Sequence, residues 1–155
     1  MKKKNSSKKR EGSCLCGKNK FYTIKDPIRT LACYCRYCQL RTGSIFGVTY
    51  WFKETQLKFK KKYLKSYTFT TESGNKFKTF SCKECSSSIC WTISHLKNQI
   101  AVAPAMYNKP SFWFKIEKEI FNRSKPKFLK NFTKSRFLSN LTYKPIKKDP
   151  KYLQG

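Results

Sequence analysis

At 155 residues the chain has the length of one domain, enough for a single core but not for two. Its formal charge of +27 and its eight cysteines are the two extremes of the composition. No apolar run approaches the roughly 18 residues of a membrane span, the longest being the short stretch Ile100 to Met106, so no helical membrane span and no membrane partner are expected.

Met1 to Arg10 has the charge of a signal peptide but no apolar stretch after it. The cysteines therefore read as metal ligands in a cytoplasmic protein rather than as a disulfide framework. A charge of this size also suggests nucleic acid, because clustered cations release counterions from phosphates. The excess, however, is nearly all lysine, with six arginines, and bidentate phosphate and base readout favours arginine. The lysines run along the whole chain beside Asn, Ile, Phe and Tyr, as AT-rich coding would place them. Non-specific binding to nucleic acid at low salt is the expectation, without a dedicated site.

Taken in order, residues 1–11 form a basic, disordered tail with nothing to bury. Lys20 to Ile24 and Ile28 to Cys33 are rich in aromatic and β-branched residues, and Asp26-Pro27 between them predicts a turn joining paired strands. Cys35 to Arg41 reads as a knuckle or a single helical turn, stopped by Gly43. Strands are predicted at Ser44 to Phe52, Leu57 to Phe59, Tyr63 to Phe69, Phe77 to Phe80, Ser88 to Ile93 and Gln99 to Ala103, with a turn at Glu72-Ser73-Gly74-Asn75. The fold class is mostly β, with antiparallel sheets. Residues 12–139 make the folded domain, and 140–155 a poorly ordered basic tail.

Seven cysteines fall into three blocks. Cys33-Tyr34-Cys35-Arg36-Tyr37-Cys38 brings three sulfurs together, since residues two apart on an extended strand share a side and a C-x-x-C turn returns the third thiol. Cys14-Leu15-Cys16 and Cys82-Lys83-Glu84-Cys85 are pairs. The simplest partition joins the pairs as a closed, structural four-thiolate zinc site and leaves the trio as a second zinc site with one position open. A redox role for Cys35 and Cys38 lacks the βαβ context such a motif needs. Cys90 and His95, the single histidine, are candidates for the fourth position. Each also has an ordinary reading, as a buried strand thiol and as a turn residue.

Gly12-Ser13-Cys14-Leu15-Cys16-Gly17, the Cys33–Gln39 block with Thr42-Gly43-Ser44, and Cys82-Lys83-Glu84-Cys85 match in order and spacing the glutathione-dependent formaldehyde-activating enzymes, also called the CENP-V-like family. The resemblance covers roughly residues 12–130. It implies an Mss4-like fold, a β-tent of antiparallel sheets with zinc knuckles. It also implies a carbon-sulfur lyase reaction of the S-(hydroxymethyl)glutathione synthase type, in which a glutathione-like thiol adds to formaldehyde or a related small aldehyde. Two positions depart from the family pattern: Tyr34 stands where a histidine is usual in the C-H-C run, and Glu119 replaces the histidine of a His-Ile-Phe run.

Three thiolates and one zinc carry a net charge of −1. Such a metal is a poor generator of hydroxide and a good host for another soft ligand, which it would hold as thiolate. In this reading Cys33, Cys35 and Cys38 hold the catalytic zinc. Thr42, Gly43 and Ser44 offer substrate contacts, or serve only as helix cap and strand start. Arg36 pairs with a substrate carboxylate or is solvated. The rival reading is a non-catalytic, zinc-stabilised basic module that binds nucleic acid or another polyanion.

Overall fold

The computed structural model of the chain describes residues 8–154. Ten strands are assigned among them: β1 Arg10–Ser13, β2 Lys20–Thr23, β3 Arg29–Cys33, β4 Gly47–Lys53, β5 Leu57–Phe59, β6 Leu64–Thr70, β7 Lys76–Cys82, β8 Ser88–Ile93, β9 Gln99–Val102 and β10 Lys118–Ile120. One helix, α1 (Arg36–Thr42), follows β3. The strands form a three-stranded sheet in the order β1-β2-β5 and a seven-stranded sheet in the order β10-β3-β4-β9-β8-β7-β6.

Period-two alternation explains how the larger sheet is packed. Along β4, Tyr50 and Phe52 face one side and Trp51 the other; along β9, Ile100 and Val102 alternate with Ala101. The first set joins Phe21, Leu57 and Tyr107 in a core between the two sheets. The second set joins Phe77 and Trp91 on the far face. Burying a side chain such as Phe52, which has no exposed surface, contributes about 1.5–3 kcal/mol. The inner core thus holds the sheets together, while the Trp51 and Trp91 face is left to form the floor of a cavity.

Several expectations change. Lys20–Thr23 and Arg29–Cys33 are strands, but they are not paired; β2 bonds β1 and β5, and β3 bonds β4 and β10. Lys25, at φ 65, redirects the chain, and Gln56 Nε2 donates to the carbonyls of Ile24 (3.0 Å) and Asp26 (3.3 Å). Asp26-Pro27 therefore carries the chain from the small sheet to the large one instead of closing a hairpin. The sheet is also mixed, since β10 runs parallel to β3, with Ile120 opposite Cys33.

The two terminal expectations shift as well. Residues 1–7 lie outside the described residues, but Arg10 and Glu11 belong to β1 rather than to a disordered tail. The Arg10 guanidinium lies 4.2 Å from the Trp113 ring centroid, so the basic side chain covers an aromatic face instead of standing in water. At the other end, residues 140–154 contain little regular structure, only the 3-10 turn Lys151–Leu153, yet they pack on the body through specific hydrogen bonds. Charge and prolines obscured an ordering that comes from contacts with residues 36–37 and 72–73, distant in sequence.

Candidate metal centres

Cys14, Cys16, Cys82 and Cys85 place their sulfurs within 4.8 Å of one another. Two similar backbone knuckles achieve this. Cys14 N–H donates to the Asn19 carbonyl (3.0 Å), and Cys82 N–H to the Ser87 carbonyl (3.0 Å). Gly17 and Ser86 supply the positive φ at each turn. A cross-strut joins them, from Leu15 N–H to Ser87 Oγ (3.2 Å). Ser87 hydrogen bonds also draw the Cys85 thiol down to about 5, favouring the form that binds metal. Four sulfurs, with no further donor among the described residues, make a closed set.

Cys33, Cys35 and Cys38 form the second group, also within 4.8 Å. Cys33 ends β3, Cys35 is the N-cap of α1, and Cys38 lies on its first turn. Gly47, opposite Cys33 in the register, leaves room for this turn: a β-carbon there would sit 3.4 Å from Cys38 Cβ and 3.1 Å from Arg41 Nη2. The trio shares its charge unevenly. Hydrogen bonds from the Cys33 and Cys35 thiols, with the nearby Arg41 cation, hold Cys38 well below the usual thiol range against the opposing effect of burial. Neither Cys90 nor His95 belongs to the group. Cys90 is fully buried in the inner core, its thiol pushed up to about 12 by burial. His95 is exposed and contacts Thr142 Oγ1 at 3.4 Å.

All three thiols line a cavity of about 320 Å³. Trp51, Phe77 and Trp91 form part of its apolar lining, and Arg36, Glu72, His95 and Arg123 supply charged or titratable groups. Arg36 is thus on the cavity, although its Nε donates to the Tyr152 carbonyl (3.0 Å). Thr42, Gly43 and Ser44 are exposed and do not line it. Gly43 is the left-handed cap of α1 at φ 64, and Thr42 Oγ1 donates to the Cys38 carbonyl (2.8 Å). Their placement matches the capping alternative, and the segment touches the trio only through the helix backbone.

The two departures from the family pattern turn out to be partners. On extended backbone Cys33 and Cys35 face one way, so Tyr34 faces the other, and its hydroxyl donates to Glu119 Oε1 (2.7 Å). Glu119 has no exposed surface, and it accepts further bonds from Lys125 Nζ (2.6 Å) and the N–H groups of Phe132 (3.1 Å) and Thr133 (3.3 Å). Burial alone would raise its pKa, but these donors outweigh burial and hold it below the usual carboxylate value. The Tyr34 hydroxyl is pushed up by burial and by that carboxylate. The network pins the residue between two cysteines of the trio to β10.

Sequence reasoning missed two contributors. Arg41 stands three residues after Cys38, stacks 3.8 Å from the Trp91 ring centroid, and donates to Ser88 Oγ (3.2 Å). Its Nε and Nη2 are buried, and the guanidinium lies close enough to the Cys38 thiol to help draw its pKa down. The i, i+3 spacing on a short helix was the available signal. The aromatic floor had none, because Trp51, Phe77 and Trp91 meet only through the sheet register.

Among the described residues no helix is long and apolar enough to cross a membrane. No functionally curated protein matches the chain. Among solved structures, a crystal structure of a Rhodobacter sphaeroides protein, determined as a structural-genomics target, is similar at 17% identity with a TM-score of 0.51. The match covers 67% of this chain and 95% of that one, and at this identity it speaks for the fold alone. The family model described as glutathione-dependent formaldehyde-activating enzyme matches residues 9–124, well over half of the chain, a span that includes all eight cysteines, seven of them in the two clusters. With its strand order, its two cysteine groups and this match together, the chain belongs to the glutathione-dependent formaldehyde-activating enzyme family.

Proposed function

We propose that this protein is a zinc-dependent enzyme that adds a glutathione-type thiol to formaldehyde or a related small aldehyde, a carbon-sulfur lyase reaction in the reverse sense. The observation that carries the reading is a group of three cysteine thiols, with no fourth cysteine, histidine or carboxylate in it among the described residues, opening onto a cavity of about 320 Å³. The donor set fits zinc at both groups: four sulfurs complete a tetrahedron, and three leave a place for a substrate atom. Bound at the trio, zinc supplies a soft electrophilic centre that favours a thiolate over a thiol and polarises an aldehyde oxygen.

The remaining work falls to the chain. Cys33, Cys35 and Cys38 fix the metal position at the cavity wall, and Arg41 offsets the negative charge of their sulfurs. The Tyr34–Glu119–Lys125 network holds the peptide between two ligands in one geometry. Trp51, Phe77 and Trp91 exclude water from the floor, and Arg36 and Arg123 face the cavity as cations toward which an anionic thiol would be drawn. In the reaction the thiolate sulfur attacks the carbonyl carbon, a C–S bond forms, the C=O π bond breaks, and the oxygen takes the proton that left the thiol. The product is a hydroxymethyl thioether.

The test is carbon-13 exchange spectroscopy of labelled formaldehyde with reduced glutathione, because the uncatalysed reaction is the background. The zinc-loaded protein should accelerate exchange between the two carbon signals without changing their equilibrium ratio, and Cys35→Ser should return the rate to background. Equal rates with wild type, Cys35→Ser and no protein would refute the reading and turn attention to the basic surface.

A further inference from the structure

The family match ends at residue 124, yet the cavity is completed by residues beyond it. Asn140, Thr142, Tyr143, Leu153 and Gln154 line it together with the three thiols. Residues 140–154 reach this position through polar pegs. The Tyr37 hydroxyl donates to the Asp149 carboxylate and accepts from Glu72 N–H (2.7 Å), and the Tyr143 hydroxyl donates to the Glu72 carboxylate. Ile146 N–H donates to the Glu72 carbonyl (3.0 Å), and Arg36 Nε to that of Tyr152. Two of these anchors, Arg36 and Tyr37, lie between the ligands Cys35 and Cys38, so the segment is tied to the turn that carries the thiols.

The segment buries little apolar surface, chiefly the Tyr143 ring, edge-on to Phe121 at 5.3 Å. Leu141, Ile146 and Tyr152 are 79%, 77% and 66% exposed. Nor does the segment contribute a strand to either sheet. Asp149 is buried with its Oδ1 lacking a hydrogen-bond donor; Lys147 Nζ, 3.4 Å away, is not aligned to supply one. A segment held mainly by hydrogen bonds, with one ring contact, opens at lower cost than the sheets do.

We infer that residues 140–154 are a strap over the cavity that lifts to admit the thiol and discriminates thiols by size; this rests on the thiol-binding reading above. With strap residues among its walls, the cavity of about 320 Å³ lies at the lower end of the roughly 300–1,000 Å³ of ligand pockets, so a tripeptide thiol needs the strap displaced where a two-carbon thiol does not. A strap open about one-tenth of the time lowers the apparent affinity for the larger thiol about tenfold.

The test uses the whole chain and the variant Asp149→Ala, which removes the acceptor of the Tyr37 hydroxyl at a residue that neither lines the cavity nor belongs to a cysteine group. Cobalt(II)-loaded wild type and variant are titrated with 2-mercaptoethanol and with reduced glutathione while the thiolate charge-transfer band is followed. The variant should bind glutathione about tenfold more tightly, and 2-mercaptoethanol less than about twofold more tightly. Hydrogen exchange should accelerate at the Ile146 and Leu153 amides in the variant, and also in wild type when glutathione binds and holds the strap displaced. A glutathione response confined to the variant is the same inference at its extreme. An unchanged ratio of the two affinities overturns the strap while thiol binding stands; no response to either thiol in either protein overturns both.

Discussion

Replacing Lys125 by methionine would leave the Glu119 carboxylate fully buried without its cation. The pair is 2.6 Å apart, with side-chain exposures of 8% and 0%. Breaking a buried pair from one side typically costs about 3–5 kcal/mol, because the remaining charge is uncompensated. Here the carboxylate keeps Tyr34 and two backbone donors, so a value near about 3 kcal/mol is expected. For a chain of this size that corresponds to a fall of about 6–12 °C in Tm. Urea unfolding of the metal-saturated protein gives the free energy, and the double variant with Glu119→Gln should recover part of the loss, exposing the coupling. A cost for Lys125→Met below about 1 kcal/mol, with unchanged m-value, would refute the claim that Glu119 is charged and dependent on this partner.

The Glu119 carboxyl is held below the ordinary carboxylate value of about 4.5 in the folded protein, so its contribution is full above that pH and is lost as pH falls through the folded value. The stability gap between wild type and Glu119→Gln should accordingly shrink on acidification from pH 7, and a gap that widens in urea midpoints would contradict the assignment. Cys82→Ser should reduce the bound zinc by one equivalent and lower the Tm sharply, because the metal joins residues distant in sequence; two retained equivalents by metal analysis would argue against the closed site. Arg41→Met should weaken metal at the trio by about 10–100-fold in chelator competition while the four-cysteine group keeps its metal. Equal affinities in wild type and variant would mean that Arg41 serves only to pack on Trp91.

Both cysteine groups were legible in the sequence because ligand spacing is local geometry: Cys14 with Cys16 and Cys82 with Cys85 each fix a knuckle, and C-x-C-x-x-C sets a strand end followed by a helical turn. The strands themselves were legible from aromatic and β-branched runs, Leu57–Phe59 and Ser88–Ile93 within their predicted bounds. Pairing was not, since Asp26-Pro27 resembles a hairpin turn in isolation, and only the Gln56 amide, some thirty residues away, shows that it is a crossing. The same holds for Tyr34 and Glu119. Each reads in sequence as a lost histidine, and their compensation requires a parallel strand pair that nothing local encodes. The polar composition of residues 140–154 pointed to disorder because the pegs that order them belong to residues 36–37 and 72–73.

The most direct measurement is to replace zinc by cobalt(II) and record the d–d and sulfur charge-transfer bands while reduced glutathione is added. With two metals bound, the account predicts that the half in the four-cysteine group stays silent. The half at the trio should shift saturably toward a four-sulfur spectrum, and Cys35→Ser should abolish the shift. A spectrum that glutathione leaves unchanged would mean that the trio takes no thiol, and the proposed chemistry would lose its physical basis.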